Sequence, residues 1–369
     1  MGNTNLTFFD MLNKEPDFGR AFCYLTMQLP KIMIYYLFRA TKGGLPVEIL
    51  QGQSNWKLTV RREQDYIVLL RAQTCDIRAV LPDELFGLPV TVLADHALAP
   101  NASAVSGEQV LITCGREGDW DNRNLQDLTL PACLTDVENY ALYGCRSLHT
   151  LRLHDRIDRW GGYCLMNCRA LRAFHLTRTQ PRHSEALAYL CGEVHEELDV
   201  TVYETDGSLL RLIFPDFSEE YEENCPNHHF DYNIRGGGYP YHNQFRDKQL
   251  SMKTYDGLWD KYLREEHDPD TALRLAYTRL RWPAQLSEQS AGQYWAYLRR
   301  KKEEALLWQL SLRDAQGLRL LLDGLQPEED LLHKACDLAR NMQNTEGLAL
   351  LLEKQKPAAK SGFDKDFDL

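Results

Sequence analysis

Cys225-x-x-His228-His229 brings soft and borderline donors together at close spacing. Thiolate and imidazole are the ligand types that tetrahedral zinc accepts, but a complete site needs a second close pair, and none stands at ordinary spacing nearby. The same stretch carries Glu219, Glu220, Glu222 and Glu223. Two of them converging in a pocket would give general acid–base chemistry, whereas an unconverged run is a solvated acidic surface. Gly236-Gly237-Gly238 lacks the following lysine and the strand–turn–helix order of a phosphate-binding loop, so it reads as a flexible turn. No Gly-x-Ser-x-Gly elbow, His-Glu-x-x-His or kinase signature is present. The expectation is a protein without a catalytic set, a metal or a cofactor.

Composition bounds the class. A chain of 369 residues suggests two or three domains at roughly one per 150 residues. A formal charge of -11 disfavours nucleic acid, which needs clustered Lys and Arg to release counterions. Arg299-Arg300-Lys301-Lys302 is followed at once by Glu303-Glu304 and reads as a solvated helix face. The most apolar stretch, Ala21 to Phe38, is interrupted by Gln28, Pro30 and Lys31, so no membrane segment is expected. Met1 to Leu6 shows neither a secretory pattern nor a myristoylation motif. Cysteines scattered singly in apolar runs (Cys23, Cys114, Cys164, Cys191, Cys336) suit buried free thiols and point to a cytoplasmic location.

The elements that would position any site are set by a repeat. Leu128–Ala173 splits into two 23-residue units in which Leu128 matches Leu151, Leu130 matches Leu153, Leu134 matches Ile157 and Val137 matches Trp160. Further along, Ala141 matches Cys164, Leu142 matches Leu165, Cys145 matches Cys168 and Leu148 matches Leu171, so the Cys164/Cys168 spacing is explained as core register. Phe174-His175-Leu176 opens a third copy. An earlier copy runs from Ile77 to Leu98, with Leu93, Ala97 and Leu98 in the places of Val137, Ala141 and Leu142, and about five extra residues at 86–90. Each unit predicts one short Leu-x-Leu strand and a return through a turn or short helix, stacked because one unit cannot cover its own apolar face.

VLPDELFGLPVTVLADHAL, LTLPACLTDVENYALYGCRSLHTL and CLMNCRALRAFHL resemble the BspA-type leucine-rich repeats of bacteria, whose units carry an Ala-Phe-x-Gly-Cys-x-x-Leu run. Here Ala141-Leu-Tyr-Gly-Cys-Arg-Ser-Leu148 and Cys164-Leu-Met-Asn-Cys-Arg-Ala-Leu171 fill it. The resemblance implies a repeat fold that binds proteins and no catalytic residues; several family members are secreted, which makes surface adhesion an alternative.

The resulting expectation is an α+β chain: a short leucine-rich-repeat solenoid with an N-terminal capping region and a C-terminal α-helical repeat-like domain. The boundaries are 1–76 (helix plus β cap), 77–183 (repeats), 184–254 (β-hairpin and irregular loop), 255–355 (helices) and 356–369 (charged tail). Short apolar runs within 46–76 read as strands, and Asp206-Gly207 as a hairpin turn. Asp314–Gly324 and Asn344–Lys354 align at a spacing of 30, a second repeat similar to degenerate ankyrin helix pairs. In a Leu-x-Leu strand the leucines face inward, so Thr129, Arg152 and His175 should form a row on the exposed face and contact a protein partner. Tyr239 and Tyr241, expected in an exposed loop, are further contact candidates. The alternative to a scaffold is an enzyme or zinc module built on the 215–241 loop, with Cys225, His228 and His229 as ligands.

Overall fold

The computed structural model describes residues 47–115, 118–179, 185–224 and 229–355. The expected N-terminal helix (8–40) and the charged tail (356–369) lie outside the described residues.

Two sheets enclose the repeat core. The first strands are β1 (Val47–Gln51), β2 (Trp56–Arg62), β3 (Ile67–Gln73), β4 (Arg78–Val80), β5 (Glu84–Leu85), β6 (Leu88–Leu93) and β7 (Glu108–Thr113). There follow β8 (Asp127–Thr129), β9 (Asp136–Val137), β10 (Thr150–His154), β11 (Arg159–Trp160) and β12 (Ala173–Thr177). After helix α1 (Ala186–Glu193) come β13 (Leu198–Tyr203) and β14 (Leu209–Phe214). One sheet has the order β14-β13-β12-β10-β8-β4, the other β1-β7-β2-β3-β6-β9-β11 with β5 on the side.

The 23-residue alignment is realised as strand register. Leu151 lies opposite both Leu128 and Phe174, and Trp160 opposite Val137. The Leu-x-Leu alternation puts Leu128, Leu151, Leu153, Phe174 and Leu176 in the core, each almost without solvent contact. The earlier copy is equally in register: Leu93 pairs with Val137, and the Leu98 amide donates to the Ala141 carbonyl at 2.7 Å. Its extra residues form the β5–β6 hairpin, turned through Phe86 and Gly87 at φ 58° and 77°.

The sequence predicts one strand per unit, but the two units of Leu128–Ala173 make two each. The second, only two residues long in β9 and β11, extends the other sheet. A two-residue strand leaves no periodicity to read. The expected N-terminal strands are present as β1–β3, yet they do not cap alone, because β7 inserts between β1 and β2.

The parallel stack is closed differently at its two ends. At one end the chain reverses through Asp206-Gly207 and β14 pairs antiparallel to β13, as the hairpin signal predicts. At the other end β4 has no strand on its outer side among the described residues, and side chains occupy the backbone groups of Val80: Ser54 Oγ accepts from its amide at 2.9 Å, and Trp56 Nε1 donates to its carbonyl at 2.8 Å.

Residues 215–241, expected as an irregular loop, contain an antiparallel hairpin of β15 (Ser218–Asn224) and β16 (His229–Arg235). The acidic run belongs to strand β15, in which Glu219 and Glu220 are half-buried. Nor is the glycine triplet a loose turn. A Cβ on Gly238 would stand 2.0 Å from the Pro215 carbonyl oxygen, so the backbones cross where only glycine fits.

Beyond this the chain is helical: α2 (Tyr239–His242), α3 (Met252–Gly257), α4 (Trp259–Tyr262), α5 (Pro269–Arg281), α6 (Glu288–Arg300), α7 (Lys302–Leu312), α8 (Ala315–Leu325), α9 (Glu329–Asn341) and α10 (Thr345–Gln355). α5 packs on β14 and joins the two halves. The 30-residue repeat aligns helix starts: Asp314 Oδ1 accepts from the Gly317 amide and Asn344 Oδ1 from the Gly347 amide, each an N-cap three residues back. The basic run is split by a break at Lys301 between α6 and α7, and Lys301 and Lys302 pair with Glu304 and Glu328.

Of the cysteines expected to be buried, Cys164, Cys191 and Cys336 are; Cys114 is exposed and Cys23 lies outside the described residues. Burial pushes the Cys168 thiol up to about 12, which keeps it a packed apolar group rather than a thiolate.

Candidate functional site

The outward positions of the six-stranded sheet form a continuous row. Thr129 is opposite Arg152, Arg152 opposite His175, and His175 opposite Thr201, while Val80 continues the row on β4. Thr129, Arg152 and His175 are each half-buried, flanked along their strands by buried core residues. The three residues singled out from the Leu-x-Leu pattern are therefore brought together.

Charges on this face are paired across strands. Arg152 donates from Nε to Asp127 Oδ1 at 3.2 Å and from Nη2 to Oδ2 at 3.0 Å, a fork-to-fork contact between β10 and β8. Arg211 makes the same two-pronged contact with Asp199 between β14 and β13, and stacks over Trp282 with its guanidinium carbon 5.0 Å from the ring centre. Pairs exposed to this degree are worth about 0–1 kcal/mol each, so they orient the arginines more than they stabilise the fold.

Between them His175 Nδ1 lies 3.2 Å from the Tyr203 hydroxyl, and the two rings stack at 6.1 Å. Burial, then the nearby Arg152 guanidinium, lowers the His175 pKa, so the ring is neutral at pH 7. Tyr203 and Val80 keep 42% and 38% of their surface exposed, which gives the face apolar area at both of its ends. A partly apolar face with oriented arginines and a tyrosine has the composition that protein contacts favour.

The remaining candidates are not assembled there. Tyr241 is fully buried, against the expectation of an exposed loop: α2 is packed under the aromatic cluster of Tyr255 and Tyr262, at 4.9 and 5.7 Å. Tyr239 is half-buried and meets Phe217 edge-on at 5.3 Å. Cys225 and His228 lie outside the described residues, and His229 is placed only by its backbone register opposite Asn224. Among the described residues no group of three or more His, Cys, Asp or Glu is arranged to hold a metal, and no helix is long and apolar enough to cross a membrane.

A second constellation escaped the sequence reading. His96, Tyr140 and Tyr163 occupy the same place in three units, each in left-handed backbone conformation (φ 56°, 56° and 59°), and their rings stack at 5.0 and 5.5 Å. The available signal was an aromatic or histidine just before Ala97, Ala141 and Cys164, a position the apolar alignment ignores.

The repeat geometry agrees with comparison to known families. Residues 118–194 match the BspA type Leucine rich repeat region, in six copies. The match begins at the residues leading into β8 and ends after α1, so the BspA-type segment includes the strands carrying Thr129, Arg152 and His175. No curated protein matches the chain. Among solved structures, a leucine-rich-repeat protein of T. pallidum is similar at 19% identity and a TM-score of 0.20, over 32% of this chain and 68% of that one. Leucine-rich repeats generally mediate protein–protein interaction, which fits the surface described above.

Proposed function

We propose that the chain is a non-enzymatic interaction scaffold of a bacterial cytoplasm that binds a protein partner on the outward face of the six-stranded sheet. The observation that carries this is the in-register row Thr129–Arg152–His175, half-exposed on strands whose alternate residues are core. The stacked parallel strands are read as a short leucine-rich-repeat solenoid of about four units. The helix pairs α7–α8 and α9–α10, aligned at 30 residues, are read as a degenerate ankyrin-like module that offers a second surface. Buried single thiols favour a reducing compartment. The proposed boundaries follow the same reading: repeats over 77–183, a β-hairpin and α2 region to 254, and helices over 255–355.

Affinity capture from a native lysate, read by mass spectrometry and repeated with Arg152→Glu, tests the surface. A partner retained by the native chain and lost with the variant is expected. An identical partner set for both chains removes the sheet face from consideration.

A further inference from the structure

On the side of the repeats where the aromatic ladder lies, the segment 95–105 and the turns of the following units enclose an open groove of about 940 Å³. That is near the upper end of the roughly 300–1,000 Å³ typical of ligand sites. Three arginines line it: Arg71 from β3, Arg123 and Arg146. Arg71 is 6% exposed, and its guanidinium donates to two backbone carbonyls, His96 at 2.6 Å and Ala102 at 2.9 Å. Among the described residues, three of its five N–H donors make no hydrogen bond and no carboxylate stands within ion-pair distance. Arg146 is exposed and likewise forms no ion pair among the described residues, while Arg123 is held by Asp121.

A buried cation facing only neutral carbonyls is an incomplete arrangement, because desolvation of the charge is offset only by an opposite charge or a full set of acceptors. Burial lowers the Arg71 pKa, as expected where no anion faces the group. The carbonyl bonds fix the guanidinium in place, so an arriving carboxylate meets a preorganised fork.

The groove is mixed in character. Tyr143 lines it and stands edge-on to His96 and Tyr140 at 6.3 and 5.8 Å; Val105 lines it too and is 42% exposed. Asp95 also lines it, so a ligand whose carboxylates are spaced to meet the arginines and keep clear of Asp95 suits the groove better than a compact, multiply charged ion such as phosphate. The chain's net charge of -11 opposes a nucleic-acid strand. An extended segment with alternating carboxylate and apolar side chains suits all of these features at once.

We propose that this groove binds an acidic peptide segment, with Arg71, Arg123 and Arg146 pairing its carboxylates and Tyr143 and Val105 contacting its apolar side chains. The groove shares no residue with the outward sheet face, so this site and the scaffold surface stand or fall by separate experiments.

The test is fluorescence anisotropy of the full chain with a short labelled peptide of alternating Glu and Leu, beside the same peptide with Gln for Glu. The Glu peptide is expected to bind, with affinity falling as salt rises, and Arg146→Glu to weaken it about tenfold without changing the melting temperature. Arg123→Glu provides a second charge reversal at an exposed position. Equal binding of the Gln peptide, or affinities untouched by both variants, overturns the proposal. So does displacement by inorganic phosphate at matching concentration, or tighter binding of a single-stranded oligonucleotide, since either replaces the peptide with a different ligand.

Discussion

Arg279 on α5 and Asp256 on α3 meet as a two-pronged ion pair with almost no solvent access: Nε lies 2.8 Å from Oδ1, Nη2 lies 3.0 Å from Oδ2, and the residues are 0% and 4% exposed. Further donors and acceptors of the pair are used as well. Nη1 and Nη2 donate to the carbonyls of Trp282 and Ala284, and the Tyr294 hydroxyl donates to Asp256 Oδ1 at 2.8 Å. The pair therefore ties α3, α5, the turn after α5, and α6 into one unit. Asp256→Asn or Arg279→Met leaves a buried partner uncompensated, and a loss of about 3–5 kcal/mol is expected. Urea unfolding of each variant checks this; a change below about 1 kcal/mol would show that water reaches the pair.

Asn122 has the same role on a smaller scale in the repeat half. Its amide nitrogen donates to the carbonyls of Ala72 and Leu98 at 2.8 and 2.7 Å, and its oxygen accepts from the Thr74 amide at 2.9 Å. Asn122→Ala orphans the Ala72 carbonyl and the Thr74 amide, each worth roughly 1–3 kcal/mol less whatever water recovers, and leaves the Leu98 carbonyl with only the Cys145 thiol at 3.5 Å. The melting temperature of the variant should fall by several degrees, and amide exchange at Thr74 should quicken.

Two helical glycines should respond oppositely to alanine. At Gly317 in α8 a Cβ would stand 2.0 Å from the Tyr277 hydroxyl and 2.2 Å from Gln309 Nε2, so Gly317→Ala should destabilise by about 1–3 kcal/mol. At Gly292 in α6 nothing lies within 4 Å, and Gly292→Ala should stabilise by about 0.5–1 kcal/mol. Thermal melts of the two variants settle the matter. Shifts of the same sign would show that Tyr277 and Gln309 move aside from Gly317 at little cost.

Acid should weaken the fold through His242. The ring is buried, with Nδ1 2.7 Å from the Cys191 carbonyl and Nε2 2.9 Å from that of Pro215, and burial lowers its pKa below the ordinary 6.5. The unfolded chain then binds more protons than the fold below pH 6.5, so stability is full above that value and declines as pH falls beneath it. Denaturant unfolding at about pH 8 and about pH 5 gives the slope, and His242→Asn should reduce it. A slope of opposite sign, or one unchanged in the variant, assigns the acid sensitivity elsewhere.

The repeat half was legible where side chains alternate and return at a fixed interval. The Leu128/Leu151 and Val137/Trp160 correspondences became register pairs because burial of one face forbids a slip of one residue. What escaped had no period. β7 has no counterpart in the other units, and the acidic hairpin strand β15 looks like solvated surface because its composition is that of a loop. The outward row followed from alternation alone. By contrast, Tyr241 was misjudged because its burial depends on Tyr255 and Tyr262, fourteen and twenty-one positions onward. Arg71 was missed for a related reason: a lone arginine in an apolar strand gives no hint that the His96 and Ala102 carbonyls will hold it at the edge of a groove.

The two ends of the parallel stack set its size. A ladder of like units has no internal reason to stop, and a bare terminal strand invites the next copy, from its own chain or from a neighbour. Here one terminus is turned back by an antiparallel strand with α5 laid against it, and at the other the Ser54 hydroxyl and Trp56 indole already occupy the Val80 amide and carbonyl. Filament growth by strand addition is thereby blocked at Val80, and removing the indole, as in Trp56→Phe, should do more than loosen a core: it should expose a template on which chains can join end to end.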